Sequence, residues 1–178
     1  MKITFVTTNL YKFEEAQSIF SESSFELVHY NLALEEIQSN NIDNISIEKA
    51  NKAYKRLKVP IIVDDTGLYI DQLKGFPGPY ASFVAATLGT SGLAQLIKPQ
   101  MGAIFKTVTT YKDADDVIVT TGEVRGTIHA KFASKASKFS DMFIPEGERV
   151  TLALLGRTYP AHRKLALNAL IEELNRRN

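Results

Sequence analysis

The sequence predicts an α/β fold, and three observations carry that expectation. Val59-Pro60-Ile61-Ile62-Val63 is a short continuous apolar run of the kind a strand shows when both its faces are buried. Strand and helix patterns alternate from the first residues onward, as expected for a sheet covered by helices. Two β-branched, alternating stretches, Phe105 to Tyr111 and Val117 to Ile128, flank the turn residues Asp113 to Asp116 and read as an antiparallel hairpin.

The elements follow in order. Ile3 to Thr7 is an apolar strand leading into a helix with Phe13, Ala16, Ile19 and Phe20 on one face. Phe25 to Tyr30 reads as a second strand and Ile45 to Leu57 as a helix rich in Lys, Glu and Ala. The segment from Gly75 to Tyr80 is dense in turn formers and feeds one helical stretch from about Ser82 to Ile97. Lys131 to Lys138 is a polar loop of small residues, and Ala161 to Arg177 is an amphipathic helix. No repeat or interdomain linker interrupts the pattern. The chain of 178 residues is expected to form one catalytic domain, residues 1–178, or at most two closely joined lobes.

Composition narrows the chemistry. With 44% hydrophobic residues, 23% charged residues and a net charge of +1, nothing recruits a nucleic acid or a membrane. The apolar runs fall well short of the roughly 20 residues a spanning helix needs, and Met1-Lys2-Ile3-Thr4-Phe5 reads as a strand rather than a signal peptide, so a cytoplasmic protein is expected. The absence of cysteine excludes disulfides and thiolate chemistry, and three isolated histidines form no helical metal pair. Any metal is then held by oxygen, which favours Mg2+, with Mn2+ as the alternative.

Three groups of residues are candidates for a site. Thr7-Thr8-Asn9-Leu10-Tyr11-Lys12 lies where a buried strand meets a helix, a position at which helix amides, hydroxyls and a lysine receive phosphate. The same residues also fit a plain helix cap, with Lys12 solvated. Asp64-Asp65-Thr66-Gly67 follows the apolar run at its carboxyl end, where two adjacent carboxylates need a cation or donors to offset desolvation. Strand alternation sends the two in opposite directions, so one of them is expected to bind metal directly. A simple turn after the strand is the other reading. His162 and Arg163 open the last helix as donors to a phosphate or a base carbonyl, or as solvated surface residues.

Taken together and in order, these segments resemble the inosine triphosphate pyrophosphatase family. The resemblance rests on Phe5-Val6-Thr7-Thr8-Asn9 with Lys12, Glu36-Ile37-Gln38, Val63-Asp64-Asp65-Thr66-Gly67-Leu68, Leu73 through Tyr80, Phe143-Ile144-Pro145-Glu146-Gly147 and His162 through Leu167, and it spans nearly the whole chain. It implies an elongated mixed β-sheet flanked by helices, two lobes with a central nucleotide cleft, and a homodimer. It also implies that water attacks the α-phosphorus of a non-standard purine nucleoside triphosphate (ITP, dITP or XTP), giving the monophosphate and pyrophosphate and so cleansing the nucleotide pool. On the same basis Glu36 and Asp65 are the magnesium-binding carboxylates, with Asp64 as a supporting or alternative ligand, and either Asp64 or Asp65 takes the proton of the attacking water. Thr7, Thr8, Asn9 and Lys12 form the triphosphate cradle, Lys49 or Lys52 adds a phosphate contact, and His162 and Arg163 donate to the 6-oxo group of the base.

The chain departs from the family pattern around the base. Where an aromatic residue and an Asp are usual, Ser137-Lys138-Phe139-Ser140-Asp141-Met142-Phe143 stands. A gapless alignment leaves Phe139 to stack on the base and puts Ser140 in place of the Asp; a one-residue deletion keeps Asp141 and puts Ser140 in place of the aromatic. Stacking on an aromatic contributes about 1–3 kcal/mol per base, so the two alignments differ in their consequences. The family's nearby lysine is replaced, at best, by Arg157, and its serine by Ala161. The expectation is retained metal chemistry with a shifted or relaxed base preference. Two alternatives are a pyrophosphatase for another modified nucleotide, such as a pyrimidine or a methylated base, and a degenerate paralogue that binds nucleotides without hydrolysis.

Overall fold

A computed structural model describes residues 1–135, 138–156 and 159–177. Its seven strands form one mixed sheet in the order β2-β1-β3-β5-β6-β7, with the short β4 paired to β3. The strand β1 (Lys2–Val6) runs parallel to β2 (Glu26–Tyr30) on one side and to β3 (Ile61–Ile70) on the other. The two-residue β4 (Pro77–Gly78) is antiparallel to β3, and β7 (Phe143–Pro145) is antiparallel to β6 (Val117–His129). Between β3 and β6 lies β5 (Gln100–Lys112). The α/β class is therefore met, with helices α1 (Leu10–Phe20), α2 (Ile42–Leu57) and α6 (His162–Arg177) placed where periodicity predicts them. None of the described helices is long and apolar enough to cross a membrane.

The chain divides into two compact units. The first comprises Met1–Asp65, Thr107–Gly122 and the segment from His162 onward. Its strands are covered on both faces, and alternation along β3 shows how. Ile62 joins Phe5, Phe20, Leu167 and Leu170 in one apolar cluster, whereas Ile61 and Val63 join Val6, Ala50 and Ala53 in another. Ala16 and Phe20 of α1 and Leu167, Leu170 and Leu174 of α6 supply the first layer, and α2 supplies the second. The second unit, Thr66–Lys106 and Glu123–Ala161, has its own core of Leu68, Ile70, Leu93, Met101, Phe105, Phe139, Met142 and Phe143. Around it lie α3 (Ala81–Thr87), α4 (Gly89–Leu96) and the single turn α5 (Leu152–Leu155).

Three boundaries differ from the sequence-based expectation. The strand holding Asp64 and Asp65 does not end there but runs on to Ile70, because Leu68 and Ile70 are fully buried and Leu68 pairs with Gly78 of β4. Asp64-Asp65-Thr66-Gly67 is thus mid-strand and not a turn. The single helix expected from 82 to 97 is two helices, broken at Gly89, whose φ of +66° suits glycine. Helix α2 starts at Ile42, since the Asn41 side chain accepts hydrogen bonds from the amides of Asp43 (2.8 Å) and Asn44 (3.4 Å).

Gly122 on β6 lies directly against the backbone of α6 within the first unit. A methyl group there would collide with the His162 carbonyl oxygen and the Ala166 nitrogen, both backbone atoms that cannot swing aside. Gly122→Ala is expected to destabilise the protein by about 1–3 kcal/mol, read as a lower urea midpoint with an unchanged slope.

Candidate active site

The loop between β1 and α1 is held from within the first unit. The Thr7 amide donates to the Tyr30 carbonyl at 3.2 Å, and the His29 Nε2–H donates to the Thr7 carbonyl at 2.8 Å while the His29 ring stacks on Phe13. Asn9 then caps α1, its Oδ1 accepting from the amides of Tyr11 (3.1 Å) and Lys12 (3.3 Å), and Thr7 Oγ1 accepts from the Asn9 amide at 3.1 Å. Of the two readings of this segment, capping is observed directly, and two amides that a phosphate could have taken are occupied by Asn9. Thr8 is exposed.

Alternation along β3 carries through from Ile61 to the acidic pair. Asp64 shares the side of Ile62 and meets α1 and α6; Asp65 shares the side of Ile61 and Val63 and meets α2. Lys12 donates from Nζ to Asp64 Oδ1 at 2.7 Å, Arg163 donates from Nε to Asp64 Oδ2 at 2.5 Å, and the Arg163 Nη1 donates to Glu15 Oε2 at 2.6 Å. Burial by itself would raise the Asp64 pKa, but Lys12 and Arg163 outweigh it and hold this carboxyl below the usual carboxylate range. Asp64 is an anion under all ordinary conditions, locked between two cations. With so many of its bonds internal, Arg163 is a buried anchor of this network, not a solvated surface residue.

The other face is less satisfied. Lys49 of α2 forms ion pairs with Asp65 Oδ1 and with Glu36 Oε1, the latter at 2.5 Å, so one ammonium joins the two carboxylates. Asp65 Oδ2 is buried with no hydrogen-bond partner. Burial pushes the Asp65 pKa up against the pull of Lys49 and Lys12, while the Lys49 pKa, lowered by burial, is carried above its ordinary value by Asp65 and Glu36. Lys52, one turn further along, is directed elsewhere, to Glu48 Oε1 at 2.8 Å and the Glu35 carbonyl at 2.7 Å. The described residues hold no ready group of three or more metal-ligating side chains. Two carboxylates converging on one cation, one of them with an orphaned buried oxygen, nevertheless form an all-oxygen donor set that a hard divalent ion completed by water and phosphate fits.

His162 is buried beside this network, its Nδ1 at 2.6 Å from Thr107 Oγ1. Burial, reinforced by Arg163, lowers its pKa to about 3, so the ring is neutral in the folded protein. Its unfolded counterpart takes up a proton below pH 6.5, so the unfolded state gains stability as the pH falls from there toward 3. At pH 5 this amounts to a loss of about 2 kcal/mol of folding stability relative to pH 7. Urea titrations of the wild type and His162→Gln at pH 7, 6 and 5 should show the slope in the first and a flatter profile in the second. Asp64, whose pKa is depressed in the folded protein, adds its own loss as the pH falls through the ordinary carboxylate value and below it.

The remaining sequence candidates lie in the second unit. Phe139 belongs to its core and is 6% exposed, so stacking on a base, the role a gapless alignment assigns it, would require its ring to be uncovered. Asp141 Oδ2 accepts from the Lys138 amide at 2.8 Å and closes the short turn Phe139–Asp141, with Ser140 half-buried between them. Arg157 lies outside the described residues. Two members of the network escaped the sequence reading. Glu15 sits one turn after Lys12 on the same helix face, a spacing that could have flagged it, whereas Thr107 is one of several buried threonines on β5 and carries no distinguishing signal.

The chain is matched over residues 3–173 by the model of the Ham1 family. A dITP/XTP pyrophosphatase of Methanopyrus kandleri is 35% identical over 179 residues, covering 97% of this chain and 95% of the relative. One of the same name from Pyrobaculum aerophilum is 35% identical over 184 residues, covering 100% and 98%. The fold is that of a HAM1 protein from Coxiella burnetii, with a TM-score of 0.83 at 21% identity over 99% of each chain. A nucleoside-triphosphatase, dITP/XTP pyrophosphatase, from Mycobacterium abscessus superposes with a TM-score of 0.70 at 25% identity, covering 99% and 97%. With a family model that spans nearly its whole length and relatives this similar end to end, the chain belongs to the Ham1 family.

Proposed function

We propose that this protein hydrolyses non-standard purine nucleoside triphosphates, dITP, ITP and XTP, to the monophosphate and pyrophosphate. The observation that carries this reading is the division of labour across β3: Asp64 is neutralised by Lys12 and Arg163, while Asp65 keeps a buried, unpartnered oxygen beside Lys49 and Glu36. The names of the relatives support the same reaction.

In this reading Asp65 and Glu36 hold Mg2+, or Mn2+ in its place, and the ion supplies charge neutralisation and orientation for the triphosphate. Asp65, which keeps one oxygen without a hydrogen-bond partner, is the carboxylate placed to take a proton from the attacking water. Lys12 and Lys49 bring positive charge toward the phosphates, and Thr7, Thr8 and the Asn9 side-chain amide NH2 add neutral donors at the start of α1. Of the two lysines considered for a phosphate contact, Lys49 is favoured because Lys52 is turned to Glu48 and Glu35. Asp64 acts as a positioning residue through Lys12. His162, held by Thr107, and Arg163, held by Asp64 and Glu15, would have to give up these contacts to donate to the base, and Ser140, Asp141 and Arg157 are the positions at which this chain departs from the family. We place the active protein in the cytoplasm as a homodimer.

The test is pyrophosphate release from ITP, dITP, XTP and the four standard triphosphates, with and without Mg2+. Release from the 6-oxo purines, absent without the ion, is expected. Failure with every triphosphate would sink the hydrolytic reading, and a preference for another modified base would reassign the substrate.

A further inference from the structure

Two acidic side chains in very different surroundings meet at one lysine. Asp65 is in the middle of β3, 8% exposed, with strand on either side. Glu36 stands in a stretch without regular structure, and its side chain is about half exposed at 52%. The Lys49 side chain, only 13% exposed, reaches both. An ammonium in contact with Asp65 Oδ1 and Glu36 Oε1 takes the oxygens that a hard cation would use, and a +1 and a +2 charge do not share them. Lysine suits such a post because it neutralises an otherwise uncompensated buried carboxylate and yet, on a flexible four-carbon stem, can leave.

We propose that Lys49 is the resident counter-cation of the Glu36 and Asp65 pair, and that it and a divalent ion bind there in exchange, the displaced ammonium turning to the phosphates of the incoming nucleotide. This rests on the assignment of Glu36 and Asp65 as the metal-holding pair. Its consequence is thermodynamic. Without a triphosphate the metal must displace a good ion pair, and binds weakly; with a triphosphate the lysine gains a new partner, so each ligand strengthens the other. The arrangement protects the buried Asp65 charge in the resting protein and makes metal loading depend on substrate.

The experiment is Mn2+ binding in the absence of nucleotide, followed by the electron paramagnetic resonance signal of the free ion, for the wild type, Lys49→Met and Lys52→Met. Lys49→Met is expected to bind Mn2+ at least about tenfold more tightly than the wild type, within the range of coupled sites. Lys52→Met removes the same charge from the next turn without touching either carboxylate, and is expected to change the affinity by less than about threefold. Equal effects of the two substitutions, or no gain in Lys49→Met, would overturn the exchange. Where Lys49→Met does not fold, Lys49→Gln serves for the same comparison. Asp65→Asn completes the set: if it binds Mn2+ as the wild type does, the pair is not the metal site and the exchange falls with it. Hydrolysis, scored separately as pyrophosphate release, is not decided by any of these titrations.

Discussion

Asp65→Asn is expected to lower pyrophosphate release by about a thousandfold while leaving the protein folded. The size follows from what the substitution removes. A positioned proton acceptor contributes on the order of 10²- to 10⁴-fold, and the amide also gives up the negative charge that binds a cation. The fold survives because Lys49 keeps Glu36 as its partner and because one Asp65 oxygen is already buried without a partner. Single-turnover kinetics on dITP, together with a urea titration of the same variant, check both halves. Wild-type turnover would refute the role of this carboxylate, and a large loss of stability would mean that Asp65 holds the fold and not the chemistry.

Asp64→Asn, one residue away, is expected to show the reverse pattern, a loss of about 3–5 kcal/mol of stability. The Asp64 side chain is 1% exposed and the Arg163 side chain 8%, so the cations it leaves behind stay largely out of water. Removing one partner of a buried ion pair is costly because the other cannot be resolvated in place. Against a typical total of about 5–15 kcal/mol, the variant would be close to unfolding at ambient temperature. Urea midpoints measure this, and the double substitution Asp64→Asn with Arg163→Met should recover part of the loss, since the two residues share one interaction. A loss below about 1 kcal/mol would show that the network contributes little.

Much of this was legible in the sequence, and the misses have physical reasons. Ile61, Ile62 and Val63 announced a strand buried on both faces, and the clusters on either side of β3 bear that out. The continuation of β3 to Ile70 was hidden because Thr66 and Gly67 look like a turn, whereas Leu68 and Ile70 carry the strand on by burial. The break at Gly89 could have been weighted more heavily, since a φ of +66° favours glycine. For the site, the ordered motifs named Lys12, Asp64, Asp65 and Arg163, but not who meets whom. That Arg163 joins Asp64 to Glu15, or that Lys49 rather than Lys52 reaches Asp65, depends on contacts between residues far apart in the chain, which no local pattern encodes. Phe139 shows the limit from another side, because an aromatic residue in a loop reads equally as a stacking platform or as a core residue until burial decides.

The discontinuous make-up of the first unit has a bearing on how the chain is made. Asp64 and Arg163 are 99 positions apart, and the whole of the second unit, which starts at Thr66 and ends at Ala161, precedes α6. As synthesis proceeds, the second unit acquires every residue it needs while the first still lacks the helix that supplies Arg163 and half of an apolar layer. Until α6 has been synthesised, Asp64 therefore lacks Arg163 and has Lys12 as the one cation of its native network already made, so the first unit, begun by the earliest residues, is completed by the last.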